Sequence, residues 1–408
     1  MKKFLNLKNA SDQEKSAINF VCIQGFMWFA WAFTCYGTAY LQNVGFTAST
    51  IGRLNATCSA VAIFSMMFWG MFSDKINSVK KTLITVSVVS VGLQVLIPFM
   101  PTESEYTVLI FFILYPVLCM FRNSMCPLLD SFSVRVCAEK RLNYSNSRSF
   151  GSFTFTVGSI IVSFLIIKSG TIATAYLLCG FIYIPGLISL FLAPDCKMPV
   201  KKGEKISVSP KPLFKNYHYM ALLVFAAIIY IACTAEYGFI TYFMEDIGVA
   251  NSNLGNFLAV RAVSEIPTLF FIIKFRRKIK LKYLMMVAFT LMGLQCLIFS
   301  LFVNSLATMM ITACLFGAGN GIVIGTVPFY LYKLAPNQLK ATAQTIYSAV
   351  CSVAGIIGNL FGGVIYEIVG ARTFYFGVGI IFFVGVTVFG ISHLLRKDIV
   401  NPADELEV

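Results

Sequence analysis

The sequence predicts an all-α membrane protein with twelve transmembrane helices. Of its 408 residues, 58% are hydrophobic and only 12% are charged, and the mean hydropathy is +0.78. Soluble domains carry roughly 25% charged residues. Apolar runs of about 20 residues, long enough to cross a bilayer as a helix, recur between residues 17 and 395 with short polar breaks. Most basic residues fall in every second segment between these runs, which requires an even number of crossings.

The twelve apolar runs follow one another along the whole chain. The first is preceded by a polar segment and is longer than the apolar part of a signal peptide, so we expect it to remain as a membrane helix. The predicted spans are 17–41, 49–73, 82–100, 106–132, 144–167, 172–193, 217–243, 252–273, 282–303, 305–332, 341–366 and 373–395.

The positions of the basic residues predict the topology. With both termini in the cytoplasm, the inner segments hold 26 of the 32 lysines and arginines. The outer side keeps Lys168, Arg372 and Arg53, and the other three are arginines within the spans. This is the bias of the positive-inside rule, so we expect a multi-pass protein of the cell inner membrane. The net charge of +14 is spread over short inner loops, and we therefore expect contact with membrane lipid and none with nucleic acid.

The longest polar interruption, residues 194–216, predicts the domain organisation. It carries Lys, Pro, Gly and Ser without apolar periodicity, which is typical of a linker. It separates an N-terminal six-helix half, 1–193, from a C-terminal six-helix half, 217–408. The twelve cysteines show no CxxC spacing, so we expect free thiols, no metal and no cofactor. We also expect a monomer.

A short motif follows the second span. It contains Gly70, Asp74 and Lys75 and ends with Lys80 and Lys81. The segment resembles the G-x-x-x-D-R/K-x-x-x-x-R/K motif of the major facilitator superfamily, whose members have two six-helix halves with the substrate between them. Glycine permits close helix approach, and an aspartate can meet the positive end of a neighbouring helix. The resemblance implies a gating role for Gly70, Asp74 and Lys75; a capped turn with topology charges is the alternative.

Apart from Arg53 and Lys282 near span ends, six charged residues lie inside the predicted spans, and the charges of these six cancel. Each costs about 2.5 to 3.5 kcal/mol near the bilayer centre unless it faces a wet cavity or a partner. They are candidates for function for that reason, with static salt bridges as the alternative. The residues are Arg122, Arg148, Arg261, Asp130, Glu236 and Glu265.

The spacing of these charges resembles the oligosaccharide:proton symporter branch, the lactose permease-like members of the superfamily. Asp130 stands 18 residues before Arg148, which opens an R-x-F-G sequence. The resemblance implies that Asp130 and Arg148 bind substrate hydroxyl groups. Arg122, two turns before Asp130, is a further substrate contact or a support for Asp130. Among the aromatic residues, we expect Trp28 and Phe155 to stack on the substrate.

The second half continues the resemblance through Cys233-Thr234-Ala-Glu236 and Ser264-Glu265-Ile-Pro267. It implies a proton-coupling cluster of Glu265, Glu236 and Arg261. Glu265 is the expected proton carrier, since a carboxyl group with little water around it can bind and release a proton under the influence of nearby charge. Glu236 is expected to pair with Arg261.

The chain also departs from this branch. Val323 and Thr326 stand where its members have a His and a Glu, and Cys351 replaces a lysine. Lactose is therefore not the expected solute. The sequences around Arg148 and Lys340 also resemble the phenylpropionate and nucleoside permease branches.

The sequence thus predicts a secondary active transporter that imports a small polar organic solute, a sugar or oligosaccharide, by proton symport and alternating access. A nucleoside or aromatic-acid symporter is the alternative. A drug exporter is less favoured because the fifth span lacks the proline-containing glycine motif of exporters. A membrane enzyme or receptor lacks support because the sequence has no nucleotide-binding loop, metal cluster or nucleophile elbow.

We predict that Arg148→Lys abolishes solute uptake while the protein is still made and inserted. Lysine keeps the charge but loses the planar fork that binds two oxygens at once. Uptake by cells, normalised to the amount of protein in their membranes, measures the effect. Normal uptake in this variant would refute the role of Arg148.

Overall fold

The computed structural model describes residues 12–140, 144–194, 211–336 and 339–396, and every regular element in these ranges is a helix. The first seven are α1 Asp12–Thr34, α2 Gly37–Asn43, α3 Ala48–Lys75, α4 Val79–Leu96, α5 Thr107–Lys140, α6 Tyr144–Ser169 and α7 Ala173–Leu192. The next seven are α8 Lys211–Lys215, α9 Tyr217–Gly238, α10 Ile240–Asp246, α11 Leu254–Phe275, α12 Leu281–Phe302, α13 Leu306–Leu334 and α14 Lys340–Leu395.

The described helices account for twelve membrane spans. Eleven stretches are long and apolar enough to cross a membrane, and the last of them, Thr342–Leu395, has 54 residues. Gly370 inside it has φ 76° and ψ 165°, so two helices meet there. Glycine adopts a positive φ without steric cost. Division of α14 at Gly370 gives the expected twelve spans, and the predicted all-α membrane fold is confirmed.

Large apolar side chains cover much of the surface of the described residues. Phe64 is 72% exposed, Phe270 75%, Ile311 72% and Leu394 80%. Exposed apolar area on this scale is typical of a surface that contacts lipid or another protein. Together with the length of the helices, it identifies a multi-pass membrane protein.

The observed helix boundaries differ from the predicted ones by several residues, most clearly in α5, α9 and the first span. α5 continues to Lys140, beyond the predicted end at 132, because an apolar run marks only the part of a helix that lies in lipid. The predicted seventh span ends as α9 at Gly238, and α10 follows. The first predicted span is interrupted between α1 and α2.

Polar side chains begin several helices by accepting hydrogen bonds from their first N–H groups, which have no partner within the helix. The side chain of Ser78 accepts from the Lys81 amide at 3.2 Å at the start of α4. The side chain of Asn216 does the same for the first residues of α9. Ser305 and Thr308 form a capping box at the start of α13.

The contacts divide the chain into two compact units. Unit 1 comprises the described parts of Met1–Val44, Cys58–Lys202 and Ser252–Ala259. In it, α1 packs against α6 and α7, and α4 packs against α5 and α7. A buried hydrogen bond of 2.8 Å between the hydroxyls of Tyr115 and Tyr176 joins α5 to α7.

Unit 2 comprises the described parts of Gly45–Thr57, Gly203–Asn251 and Val260–Val408. In it, α9 and α12 pack against α14, and α12 packs against α13. The predicted linker, residues 194–216, lies mostly outside the described residues, and α8 occupies the part near its end. The division into halves at this linker stays a prediction.

Close approach of two helices in unit 1 depends on a glycine. A Cβ atom on Gly158 of α6 would stand 2.8 Å from the carbonyl oxygen of Phe29 and 3.2 Å from the Cβ of Ala32, both on α1. Gly92 of α4 offers a contrast, because no described atom outside its own helix turn lies within 4 Å of the corresponding position. The first glycine is required by packing, whereas the second is not.

We predict that Gly158→Leu destabilises the protein by about 1–3 kcal/mol, because a larger side chain must push α6 away from α1. Gly92→Leu is the matched control, since the same change meets open space. The melting temperatures of the detergent-purified variants test the difference. Equal melting temperatures for the two variants would contradict the packing role of Gly158.

Candidate functional site

The interior of unit 2 contains a buried ion pair between α9 and α11. Glu236 is fully buried, and Arg261 is 6% exposed. The Arg261 Nη1 atom donates to Glu236 Oε2 at 3.1 Å, and its Nη2 atom donates to Glu236 Oε1. Two parallel hydrogen bonds between a guanidinium and a carboxylate are among the strongest polar contacts in proteins. This is the pair that the sequence favoured.

Three further helices support this ion pair. Gln295 of α12, also fully buried, donates its Nε2 hydrogen to Glu236 Oε1 at 3.1 Å. The Arg261 guanidinium lies over the ring of Phe316 in α13, 4.1 Å from its centre. The hydroxyl of Tyr375 in α14 donates to the Glu236 carbonyl at 2.9 Å. The carboxylate and guanidinium are therefore held from several directions.

A second acid, Glu265, lies one turn after Arg261 on α11 and is half-buried. Its Oε1 atom accepts a hydrogen bond of 2.7 Å from Asn320 Nδ2 on α13. α13 comes this close because Gly317 lies against Ser264 and the Arg261 carbonyl, and Gly321 lies against Thr268. Side chains at these two glycines would separate Asn320 from Glu265.

Unit 1 contains the other charged residues that the sequence singled out inside the spans. Arg122 and Asp130 lie on α5, and both are half-buried. Arg148 lies in α6, but its side chain is outside the described residues, so the predicted contact between Asp130 and Arg148 stays a prediction. Arg122 Nη2 points to Cys119 Sγ at 3.8 Å.

The predicted aromatic residues lie on α1 and α6. Trp28 is half-buried, and its Nε1 atom donates to Gln24 Oε1 at 3.0 Å. Its indole packs against Gly151 of α6, where a Cβ would stand 2.6 Å from Trp28 Cδ1. Trp28 lines a small apolar depression in unit 1 together with Met27, Trp31, Leu83, Met125, Cys126, Leu129 and Tyr183. Phe155 is half-buried one turn after Gly151, and it is not among the residues that line this depression.

The gating motif lies at the end of α3. Asp74 and Lys75 are exposed, and Asp74 Oδ1 lies 3.9 Å from Arg135 Nη2 of α5. Gly70 lines a surface groove together with both residues of this pair. The expected close helix approach at Gly70 is absent here, because among the described atoms none outside its own helix turn lies within 4 Å of a Cβ at this position. The gating role stays a prediction.

Sequence reasoning missed two members of the polar cluster in unit 2, Gln295 and Asn320. Both are amides inside strongly apolar spans, which was an available signal, because such a group requires a hydrogen-bond partner in the membrane. Across the part of the chain that the structure describes, no three His, Cys, Asp or Glu side chains are grouped so that they could hold a metal ion.

The chain is similar to a known family and to a bacterial transporter. The model described as the MFS_1 like family matches residues 23–376. An uncharacterised transporter of Bacillus subtilis (strain 168), YwbF, is 24% identical over 363 residues, which is 86% of both proteins.

Solved structures show the same fold at low sequence identity. A variant of the nucleoside transporter NupG has a TM-score of 0.77 at 14% identity, covering 92% of this chain and 99% of that one. The POT family transporter PepTSo has a TM-score of 0.73 at 12% identity, covering 94% and 99%. Identities this low establish the fold and leave the solute open.

We predict that Glu236→Gln destabilises the protein by about 3–5 kcal/mol, because it leaves the Arg261 guanidinium buried without its carboxylate. The double variant Glu236→Gln with Arg261→Gln should recover part of this loss, since it removes both charges. Thermal melting of the single and double variants forms a double-mutant cycle. Strictly additive effects would contradict a coupling between the two side chains.

Proposed function

The chain belongs to the MFS_1 like family and is a multi-pass membrane transporter of the major facilitator type, and we propose that it moves a small polar organic solute together with a proton. The hydrogen bond between Glu265 and Asn320, one helical turn from the Arg261–Glu236 pair, is the observation that carries the proton coupling. Glu265 is therefore a half-buried carboxyl group with a neutral hydrogen-bond partner.

The two acids of unit 2 differ in their fitness for proton transfer. Glu236 is fully buried and accepts two hydrogen bonds from Arg261 and one from Gln295. To protonate it would leave the buried guanidinium without a counter-charge, which is costly. Glu265 is half-buried and bonded to an amide that can accept as well as donate, so it can keep a partner in either protonation state. We therefore assign the coupled proton to Glu265.

The coupling proceeds through the charge of this cluster. Protonation of Glu265 removes one negative charge one turn away from Arg261, which changes the electrostatic field of the transport path. Solute and proton then favour each other's binding by the same free energy, since coupling is reciprocal. Alternating access by the two halves moves both across the membrane.

For the solute, a sugar or oligosaccharide is our first candidate. The acid and arginine of unit 1, Asp130 and Arg148, suit hydroxyl groups, because a carboxylate accepts their hydrogen bonds and a guanidinium fork donates to their oxygens. Trp28 and Phe155 offer aromatic faces for a sugar ring. A nucleoside is the second candidate, because it presents both a ribose and a flat ring; NupG, which shares the fold, is a nucleoside transporter.

We propose that the protein lies in the cell membrane with both termini in the cytoplasm, and that it moves its solute into the cell. The concentration of lysine and arginine on one side supports cytoplasmic termini in the cell membrane. The dependence on a proton favours import driven by the proton gradient. We propose a monomer, because each chain contains both six-helix halves.

We predict that Glu265→Gln, in proteoliposomes, retains exchange of labelled for unlabelled solute but loses accumulation driven by a pH gradient. Glutamine keeps the hydrogen bond to Asn320 yet cannot carry a proton. Uphill uptake should fall to the level without a gradient, roughly a tenfold loss or more. Sugars and nucleosides are screened first on the unaltered protein to choose the labelled solute.

Glu105→Gln is the matched control, because Glu105 is an exposed acid in the segment before α5. It should leave both exchange and accumulation unchanged. Uphill accumulation by Glu265→Gln at the unaltered level would overturn the assignment of the proton to Glu265. Exchange that persists without any pH-driven accumulation in the unaltered protein would show passive transport.

A further inference from the structure

The connection between α11 and α12 is strongly basic. Six of the nine residues at 274–282 are lysine or arginine, and the sequence has no Asp or Glu between Glu265 and Glu367. The connection between α13 and α14 adds Lys333 and Lys340. All of these bases belong to unit 2. We refer to residues 274–282, Lys333 and Lys340 as the basic surface.

Two contacts with aromatic rings join the parts of the basic surface. The guanidinium of Arg276 lies over the ring of Phe329 in α13, 4.1 Å from its centre. The ammonium of Lys340, the first residue of α14, lies 5.8 Å from the centre of the Tyr332 ring, also in α13. Lys333 follows Tyr332 directly. The last turns of α13 therefore hold cations from both connections on one surface, and the ring contacts position two of them without neutralising their charge.

Exposed apolar side chains lie between the bases of this surface. Phe275, Ile279 and Tyr283 are exposed, and the three bases at 277–280 are exposed as well. Water solvates exposed cations, but it does not favour exposed aromatic and aliphatic side chains beside them. A membrane interface suits both kinds of side chain, since apolar groups enter the acyl boundary while bases contact the headgroups.

The helices that begin at this surface add to its positive potential. α12 begins at Leu281 and α14 at Lys340, and the N-terminal end of a helix carries a partial positive charge. Neither helix has an acid in its first turn, where an acid would be favourable, and each has a lysine there, Lys282 in α12 and Lys340 in α14. The helix dipoles therefore reinforce the bases, and the surface attracts anions.

Basic residues of unit 1 have partners within the protein. Arg135 lies 3.9 Å from Asp74. The Nζ atom of Lys80 donates to two carbonyl oxygens at the end of α7, at 2.8 and 2.5 Å. Across residues 266–366 of unit 2, the sequence offers no acid for an ion pair of this kind. Anionic groups of the surrounding membrane are complementary to a surface with this excess of bases.

We propose that the basic surface binds anionic phospholipids of the leaflet that faces the ends of α11 and α13. The bases contact the headgroup phosphates, and Phe275, Ile279 and Tyr283 contact the upper part of the acyl chains. Phosphate oxygens accept hydrogen bonds from guanidinium and ammonium groups, and each base close to an anionic membrane strengthens binding about fivefold. This inference goes beyond the proposed transport function and is independent of the solute and the proton.

Lipids with identical acyl chains test the charge requirement. The purified full-length protein in detergent receives increasing amounts of dioleoyl phosphatidylglycerol or dioleoyl phosphatidylcholine, and its melting temperature is measured at each lipid concentration. Phosphatidylglycerol should bind at least about tenfold more tightly, since more than one base contacts it. The difference should shrink as NaCl is added, because salt screens exposed charges. Glycerol 3-phosphate, which has the phosphate without acyl chains, should give no shift at the same concentrations.

Variants of exposed bases identify the surface. Lys278→Gln should weaken phosphatidylglycerol binding about fivefold, and the triple variant Arg277→Gln, Lys278→Gln, Lys280→Gln should weaken it at least about tenfold. Lys81→Gln is the matched control, because Lys81 is an exposed lysine of unit 1 that the sequence also assigns to the cytoplasmic side. All variants change exposed side chains, so their melting temperatures in phosphatidylcholine should match that of the unaltered protein.

Three outcomes would overturn the proposal. The first is equal binding of the two lipids. The second is a shift by glycerol 3-phosphate as large as that by phosphatidylglycerol, which would show a site for free phosphate instead of lipid. The third is an equal loss of binding in Lys278→Gln and Lys81→Gln, which would show attraction by the net charge of the whole protein. In each of these cases the proposed transport function stands.

Discussion

The polar interior of unit 2 depends on the fork between Arg261 and Glu236. Because both side chains are almost entirely buried, neither charge has an alternative partner in water. The fork brings α9 and α11 together, and contacts from Gln295, Phe316 and Tyr375 extend the same cluster to α12, α13 and α14. Most side chains of these helices are apolar, so this cluster helps to specify which of their faces point inward.

The polar groups in the interior of unit 1 are arranged differently. Its interior has the Tyr115–Tyr176 hydrogen bond and the half-buried Arg122, whose contact among the described residues is the thiol of Cys119. We propose that the solute is recognised in unit 1 and that the proton binds in unit 2, beside the ion pair of Arg261 and Glu236.

The sequence predicted the helices well because a bilayer imposes a single length and composition on every span. It also favoured the Arg261–Glu236 pair, because Cys351 leaves Glu236 without the lysine that related transporters offer. It did not predict the hydrogen bonds from Gln295 and Asn320, since the rotation of α12 and α13 about their axes depends on packing between helices. The sequence did not predict the end of α5 at Lys140, because apolar composition gives no information about the part of a helix that lies outside lipid.

At two positions where the lactose permease-like branch has ionisable side chains this chain has none, and the proposed coupling relies instead on Glu265 and Asn320. With Val323 and Thr326 where that branch has a His and a Glu, α13 has no ionisable side chain at those positions to exchange a proton with α11. Asn320, one turn before Ile324, supplies the neutral contact to Glu265. Gly317 and Gly321 on either side permit the short helix separation that a 2.7 Å hydrogen bond requires. A carboxyl group held in this way keeps a partner whether or not it carries a proton, so the proposed coupling does not require a histidine in α13.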